Sequence, residues 1–148
     1  MPFCHLDKLS IDSYNNIDDS EVIFIPKYRS MISSRSDIVA FLEELKDAIN
    51  NDCQMFFNYS KKNQATLLKL DYDESDIMRE LLSLRIQDYS ETVFDTDNSD
   101  PPLLFVFGKM IMSKEVYIKL KVRVHGENKT TLCISFHFSE HSMLYPYQ

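Results

Sequence analysis

The nine residues from Val116 to Val124, VYIKLKVRV, alternate without interruption: Val116, Ile118, Leu120, Val122 and Val124 fall on one parity, and Tyr117, Lys119, Lys121 and Arg123 on the other. Successive side chains of a strand project to opposite sides of a sheet, so this pattern demands a strand with one face on a core. A second run, LCISFHF, sets Leu132, Ile134, Phe136 and Phe138 against Cys133, Ser135 and His137. With HGENKT between them the two runs predict an antiparallel hairpin. A slip of one residue would expose every apolar side chain, so two registers remain, with His137 opposite Tyr117 or opposite Lys119. Either one brings an imidazole, a phenol and three cations onto one polar face, because diagonal neighbours on a sheet lie only about 7 to 8 Å apart.

The rest of the chain supplies helices for the other face. SSRSDIVAFLEELKDAINND places Ile38, Phe41, Leu42, Leu45 and Ile49 at helical spacing behind Ser36 or a neighbouring serine as N-cap. CQMFFNY reads as a strand, and NQATLLKL as a short helix preceded by Lys61 and Lys62. DIMRELLSL, capped by Asp73 or Ser75, carries Ile77, Leu81 and Leu84 on one side. QDYSETVFDTDNSDPP reads as an acidic loop, and LLFVFGKMI as a strand with Gly108 at a bulge or turn. Residues 1–34 read as an N-terminal extension, in which Val22 to Ile25 form a short strand stopped by Pro26. The expected fold class is α+β.

With 148 residues the chain can bury a core without disulfides or metals. Two glycines are too few for a Gly-rich phosphate loop. Cys4, Cys53 and Cys133 are an odd, widely spaced set, which predicts free thiols in a reducing compartment. MPFCHLDKLS has no signal-peptide pattern and no apolar stretch is long enough for a bilayer, so a cytoplasmic protein without a membrane partner is expected. The net charge of -7 argues against nucleic acid, but its distribution does not. Residues 71–100 hold ten acidic side chains against two basic ones, whereas residues 101–148 hold six basic against three acidic. A local field governs a binding site more than the total does.

Cutting RNA without a metal requires a base for the 2'-hydroxyl, an acid for the departing 5'-oxygen and cations around the phosphate. Histidine is the side chain suited to proton transfer near neutral pH, which assigns His137 to that task. Lys119, Lys121 and Arg123 suit the phosphate, and Tyr117 suits hydrogen bonding or base stacking. DTDNSD lacks the glycine and late glutamate of a calcium loop and reads as solvated acid. Apart from His137 and His141, four positions apart at the end of an expected strand, the four histidines and three cysteines show no tight ligand spacing, so neither a metal site nor a cofactor is expected. No G-x-S-x-G elbow exists.

FGKMI, EVYIKLKVR and LCISFHFSEHSMLYPY, preceded by SDIMRELLSLRIQDYSETVFDTD, resemble the MqsR-like toxins of bacterial type II toxin–antitoxin systems over residues 37 to 148. The tail from CISFH to YPY is the most specific part of the likeness. The resemblance implies a RelE-like α+β fold, a small mainly antiparallel sheet with helices packed on one face, in a toxin domain of residues 35–148. It implies a metal-independent endoribonuclease, an mRNA interferase acting on single-stranded mRNA and silenced by a cognate antitoxin. Tyr117 and Lys119 match the family's strand tyrosine and lysine. His137 stands where the best-known branch has lysine, Arg79 where it has a helix lysine, and Glu91 close to its active-site glutamine, whose role is not transferred. The catalytic set is therefore His137, Tyr117 and Lys119, with Glu140 in support, and the RNA-binding set is Lys61, Lys62, Arg79, Lys109, Lys121 and Arg123. A non-catalytic interaction protein on the same fold is the rival expectation, favoured by the acidic total and the missing lysine.

Overall fold

The computed structural model describes residues 30–96 and 101–148. The chain runs through β1 (Ser30–Met31), α1 (Arg35–Asp47), a π-helical turn (Ala48–Asp52), β2 (Met55–Phe57), α2 (Lys61–Leu70) and α3 (Glu74–Leu82). A 3-10 turn (Ile86–Asp88) then leads into β3 (Tyr89–Phe94), β4 (Leu103–Ile111), β5 (Lys114–His125) and β6 (Asn128–Phe138). One six-stranded open sheet has the order β1-β3-β4-β5-β6-β2, antiparallel throughout except where β2 runs parallel to β6. The fold is mixed α+β. Among the described residues no helix is long and apolar enough to cross a membrane.

Val116, Ile118, Leu120 and Val122 do face the core, packed with Phe107 and Phe136 from the flanking strands. Opposite them lie Ile38, Phe41, Leu42, Leu45 and Ile49 of α1 and its π turn, and Ile77, Leu81 and Leu84 at α3. Both helices are capped as amphipathic segments should be. The Ser34 hydroxyl, one of the serines ahead of the helix, accepts from the Asp37 amide at 3.2 Å. Asp73 and Asp76 form a reciprocal capping box at α3.

Four local readings change. The acidic stretch is not all loop, because Tyr89–Phe94 forms β3 with a register shift at Ser90, and Tyr89 is buried with its hydroxyl bonded to the Ser33 amide at 2.9 Å. Strand CQMFFNY contracts to Met55–Phe57, because Cys53 is left-handed (φ 51°) and ends the preceding π turn. Gly108 is neither bulge nor turn but lies mid-strand opposite Tyr117, and the chain reverses instead at Met112 and Ser113, both left-handed (φ 50° and 67°). The fourth change affects the hairpin. Lys119 pairs with Ser135 but Leu120 pairs with Cys133, so Ile134 is an extra residue in β6. Such a bulge inverts parity beyond it, which puts Cys133 in the core and Leu132 on the opposite face.

Helix α2 closes one edge of the sheet. Past Cys133 the β6 edge loses its β2 partner, and side chains of α2 take over. Asn63 Nδ2 donates to the Ile134 carbonyl at 3.1 Å, the Phe136 amide donates to Asn63 Oδ1 at 3.0 Å, and the Phe138 amide donates to the Thr66 hydroxyl at 3.2 Å. Uncovered edges invite pairing with other chains, so this seal both satisfies the backbone and blunts the edge.

The extension boundary at residue 34 falls after a strand, since Ser30 and Met31 pair with Val93 and Thr92 of β3. The short strand expected at Val22 to Ile25 lies outside the described residues.

Candidate functional site

Of the two registers open to the hairpin, the structure has His137 opposite Tyr117. Their rings stack at 5.3 Å between centroids with 16° between planes, on the face away from α1 and α3. Both are half-buried. His137 Nδ1 lies 3.0 Å from the Phe138 carbonyl oxygen. A carbonyl only accepts, so Nδ1 carries the proton of the neutral ring and Nε2 keeps its lone pair. Burial, reinforced by the Glu91 carboxylate, pushes the Tyr117 phenol up to about 12. Tyr117 is thus a hydrogen-bond donor throughout the neutral range.

Lys119 and Ser135 form the adjacent rung. Glu91 lies in the same row, since it pairs with Val106 and Val106 pairs with Lys119. Ser135 stays on the polar face that parity gave it, and Glu91 joins the neighbourhood of His137, Tyr117 and the cations. The resemblance had placed Glu91 near an active-site glutamine, but parity could not, because its strand was hidden in the acidic stretch. Arg123 shares the face, six residues beyond Tyr117, or about 20 Å along the strand.

The remaining cations disperse. Lys121 does not present its ammonium to a ligand surface: it is 1% exposed, paired with Asp95, and 3.0 Å from the Pro101 carbonyl. Asp95, expected to be solvated, is buried with it. Lys109 and Arg79 belong to the helix side of the sheet. Lys109 Nζ bonds Glu80 at 2.9 Å and also the Ser83 hydroxyl, while Arg79 holds Asp76 at 2.7 Å and covers the Tyr72 ring. Burial opposes ionisation of Glu80, but hydrogen bonds from Tyr72 and Lys109 overcome it and hold the carboxyl below its usual range.

Lys61 and Lys62 occupy the first turn of α2, and Lys62 pairs with Glu140 just beyond His137. The Lys62 ammonium, followed by the charges of His137 and His141, holds the Glu140 carboxyl below its ordinary value. Glu140, Lys62 and His137 therefore share the end of β6. Among the described residues no three His, Cys, Asp or Glu side chains converge as a metal-ligand group.

A C-terminal strap also borders the stacked rings. Glu115, two residues before Tyr117 on the same face, accepts from the Met143 amide at 3.1 Å and the Tyr145 hydroxyl at 2.6 Å. Ser90 donates to the Leu144 carbonyl at 2.7 Å, and the Tyr147 hydroxyl donates to the Ser33 carbonyl at 2.6 Å. The strap thus crosses β5, β4 and β3. The signal that could have found it is Gly108, since an isolated strand glycine often marks a close approach of other chain. No protein-family model matches this sequence, and no curated protein matches it.

Proposed function

We propose that this protein is an endoribonuclease toxin with a RelE-like fold, similar to the MqsR-like toxins, acting on single-stranded mRNA in the cytoplasm under the control of an antitoxin. The observation that carries the reading is the Tyr117–His137 stack on the sheet face away from α1 and α3, with one group able to accept a proton and the other to donate one. His137 Nε2 takes the 2'-hydroxyl proton, the 2'-oxygen attacks phosphorus, and the bond to the 5'-oxygen breaks. Tyr117 donates its proton to that oxygen and recovers one from solvent, while the imidazolium returns its proton to solvent. The products are a 2',3'-cyclic phosphate and a 5'-hydroxyl. Lys119, one rung away, supplies a positive charge against the negative charge that builds on the phosphate oxygens, and Arg123 engages the RNA strand farther along. Lys61 extends the track near Glu140 and Lys62.

A second reading, a non-catalytic partner-binding module, has its own support: Lys62, Lys109, Lys121 and Arg79 each hold an acidic partner. Incubating the purified protein with mixed mRNA in EDTA and mapping 5' ends separates the two. The nuclease reading expects discrete 5'-hydroxyl ends that vanish with His137→Ala while the variant stays folded. Bound but intact RNA, or equal cutting by the variant, would refute it.

A further inference from the structure

Tyr117 and His137 need a fixed mutual geometry to serve as an acid–base pair, and neither ring is held by a hydrogen bond to the other. Three features converge on the rung they occupy. First, Gly108 is the β4 residue opposite Tyr117, and a methyl group there would overlap the Tyr145 hydroxyl and approach Met143 Sδ to 2.8 Å. The Tyr145 hydroxyl therefore fills the side-chain space of position 108. Directly opposed Cβ atoms on a sheet are about 5 Å apart, so that hydroxyl walls Tyr117 on the side away from His137. Second, the Glu115 carboxylate binds both the Met143 amide and the Tyr145 hydroxyl, locking the strap in this notch. Third, the Ser139 amide donates to the Glu115 carbonyl at 2.8 Å, which extends the ladder one rung past His137 before the chain enters the strap.

We propose that the strap is the positioning element of the site, with Tyr145, seated in the Gly108 notch and bonded to Glu115, holding Tyr117 against His137. This rests on the nuclease reading for its kinetic consequence but not for its structural one. Tyr145 is a positioning residue: it acts through Tyr117 and touches no substrate. Glu115 is the hub, because it binds the strap at two points while its own backbone is part of β5, the strand that carries Tyr117.

Tyr145→Phe removes the bond to Glu115 and keeps the ring; Gly108→Ala fills the notch from the other side. Both are read by kinetics on RNA and by NMR of the His137 ring protons, assigned with His137→Gln and calibrated with Tyr117→Leu, in which the stack is absent. The expected result is a loss of about 10² in kcat, as slight misplacement commonly causes, with KM within twofold. The His137 signals should move toward their Tyr117→Leu position while those of His125 stay in place. Should Gly108→Ala fail to fold, Tyr145→Phe decides alone. An unchanged ring signal, or an unchanged kcat in a cleaving enzyme, would overturn the proposal. If the wild type cuts no RNA, the nuclease reading fails by itself and the ring signals still judge the positioning claim.

Discussion

The Lys121 ammonium is held by the Asp95 carboxylate in the interior, with 1% and 7% of the two side chains exposed. It shares a sheet face with Tyr117 and Lys119, yet it binds Asp95 after β3 and the Pro101 carbonyl before β4. Removing one partner of a buried pair strands the other, which typically costs about 3 to 5 kcal/mol. Lys121→Met should lose that much in urea unfolding, and Lys121→Met with Asp95→Asn should lose clearly less than the two single changes added together. Strict additivity would show that the pair is not coupled.

Asn63 is fully buried in α2 and serves the β6 edge with both ends of its amide. Asn63→Ala strands the Phe136 amide, while the Ile134 carbonyl keeps the Asn58 Nδ2 donor at 3.2 Å, and one stranded buried group costs about 1 to 3 kcal/mol. The variant should unfold at lower denaturant, and hydrogen exchange at the Phe136 amide should accelerate more than at the Ile118 amide. Equal exchange at Phe136 in both proteins would contradict the edge-sealing role.

The β4–β5 reversal places Met112 and Ser113 in the left-handed region that a type I' turn requires. Left-handed backbone costs a non-glycine residue about 1 kcal/mol or more. Replacing the pair with Asn-Gly should raise stability by about 1 kcal/mol with no change in RNA cleavage. A lower unfolding midpoint would count against this turn geometry.

Tyr117, raised to about 12, ties stability to alkaline pH. The unfolded phenol ionises from about pH 10, whereas the folded one holds its proton to about 12, so the unfolded state binds fewer protons in that window. The contribution to stability is constant below about pH 10 and falls as pH rises between 10 and 12. Tyr59, also raised to about 12 by the Glu74 hydrogen bond, adds to the same window. Tyr117→Phe should flatten the decline, and ultraviolet titration should show one late-ionising phenol fewer.

His137 should exist, when neutral, with its proton on Nδ1, since its neighbour at 3.0 Å is the Phe138 carbonyl oxygen. Nitrogen-15 spectra of the imidazole should show an unprotonated Nε2. Finding the proton there would remove the lone pair from the nitrogen assigned to the 2'-hydroxyl.

Alternation in VYIKLKVRV determined β5 and its core face, and together with the parity of LCISFHF it determined the neighbourhood of Tyr117 with His137, because a period of two is imposed by the strand itself. Helical spacing likewise determined which side of α1 is buried. Parity arguments fail where the ladder gains a residue, so the fates of Leu132 and Cys133 were decided only by the bulge at Ile134. Strand β3 was concealed by the charges around YSETVF, and its burial depends on β4 and β1 rather than on its own composition. The Lys121–Asp95 pair, the sealing of β6 by Asn63 and the seat of Tyr145 on Gly108 join residues 26, 73 and 37 positions apart. Local preferences hold no record of such distances. Closure of the sheet brings these groups together, and the burial of polar groups that must then be satisfied selects their partners.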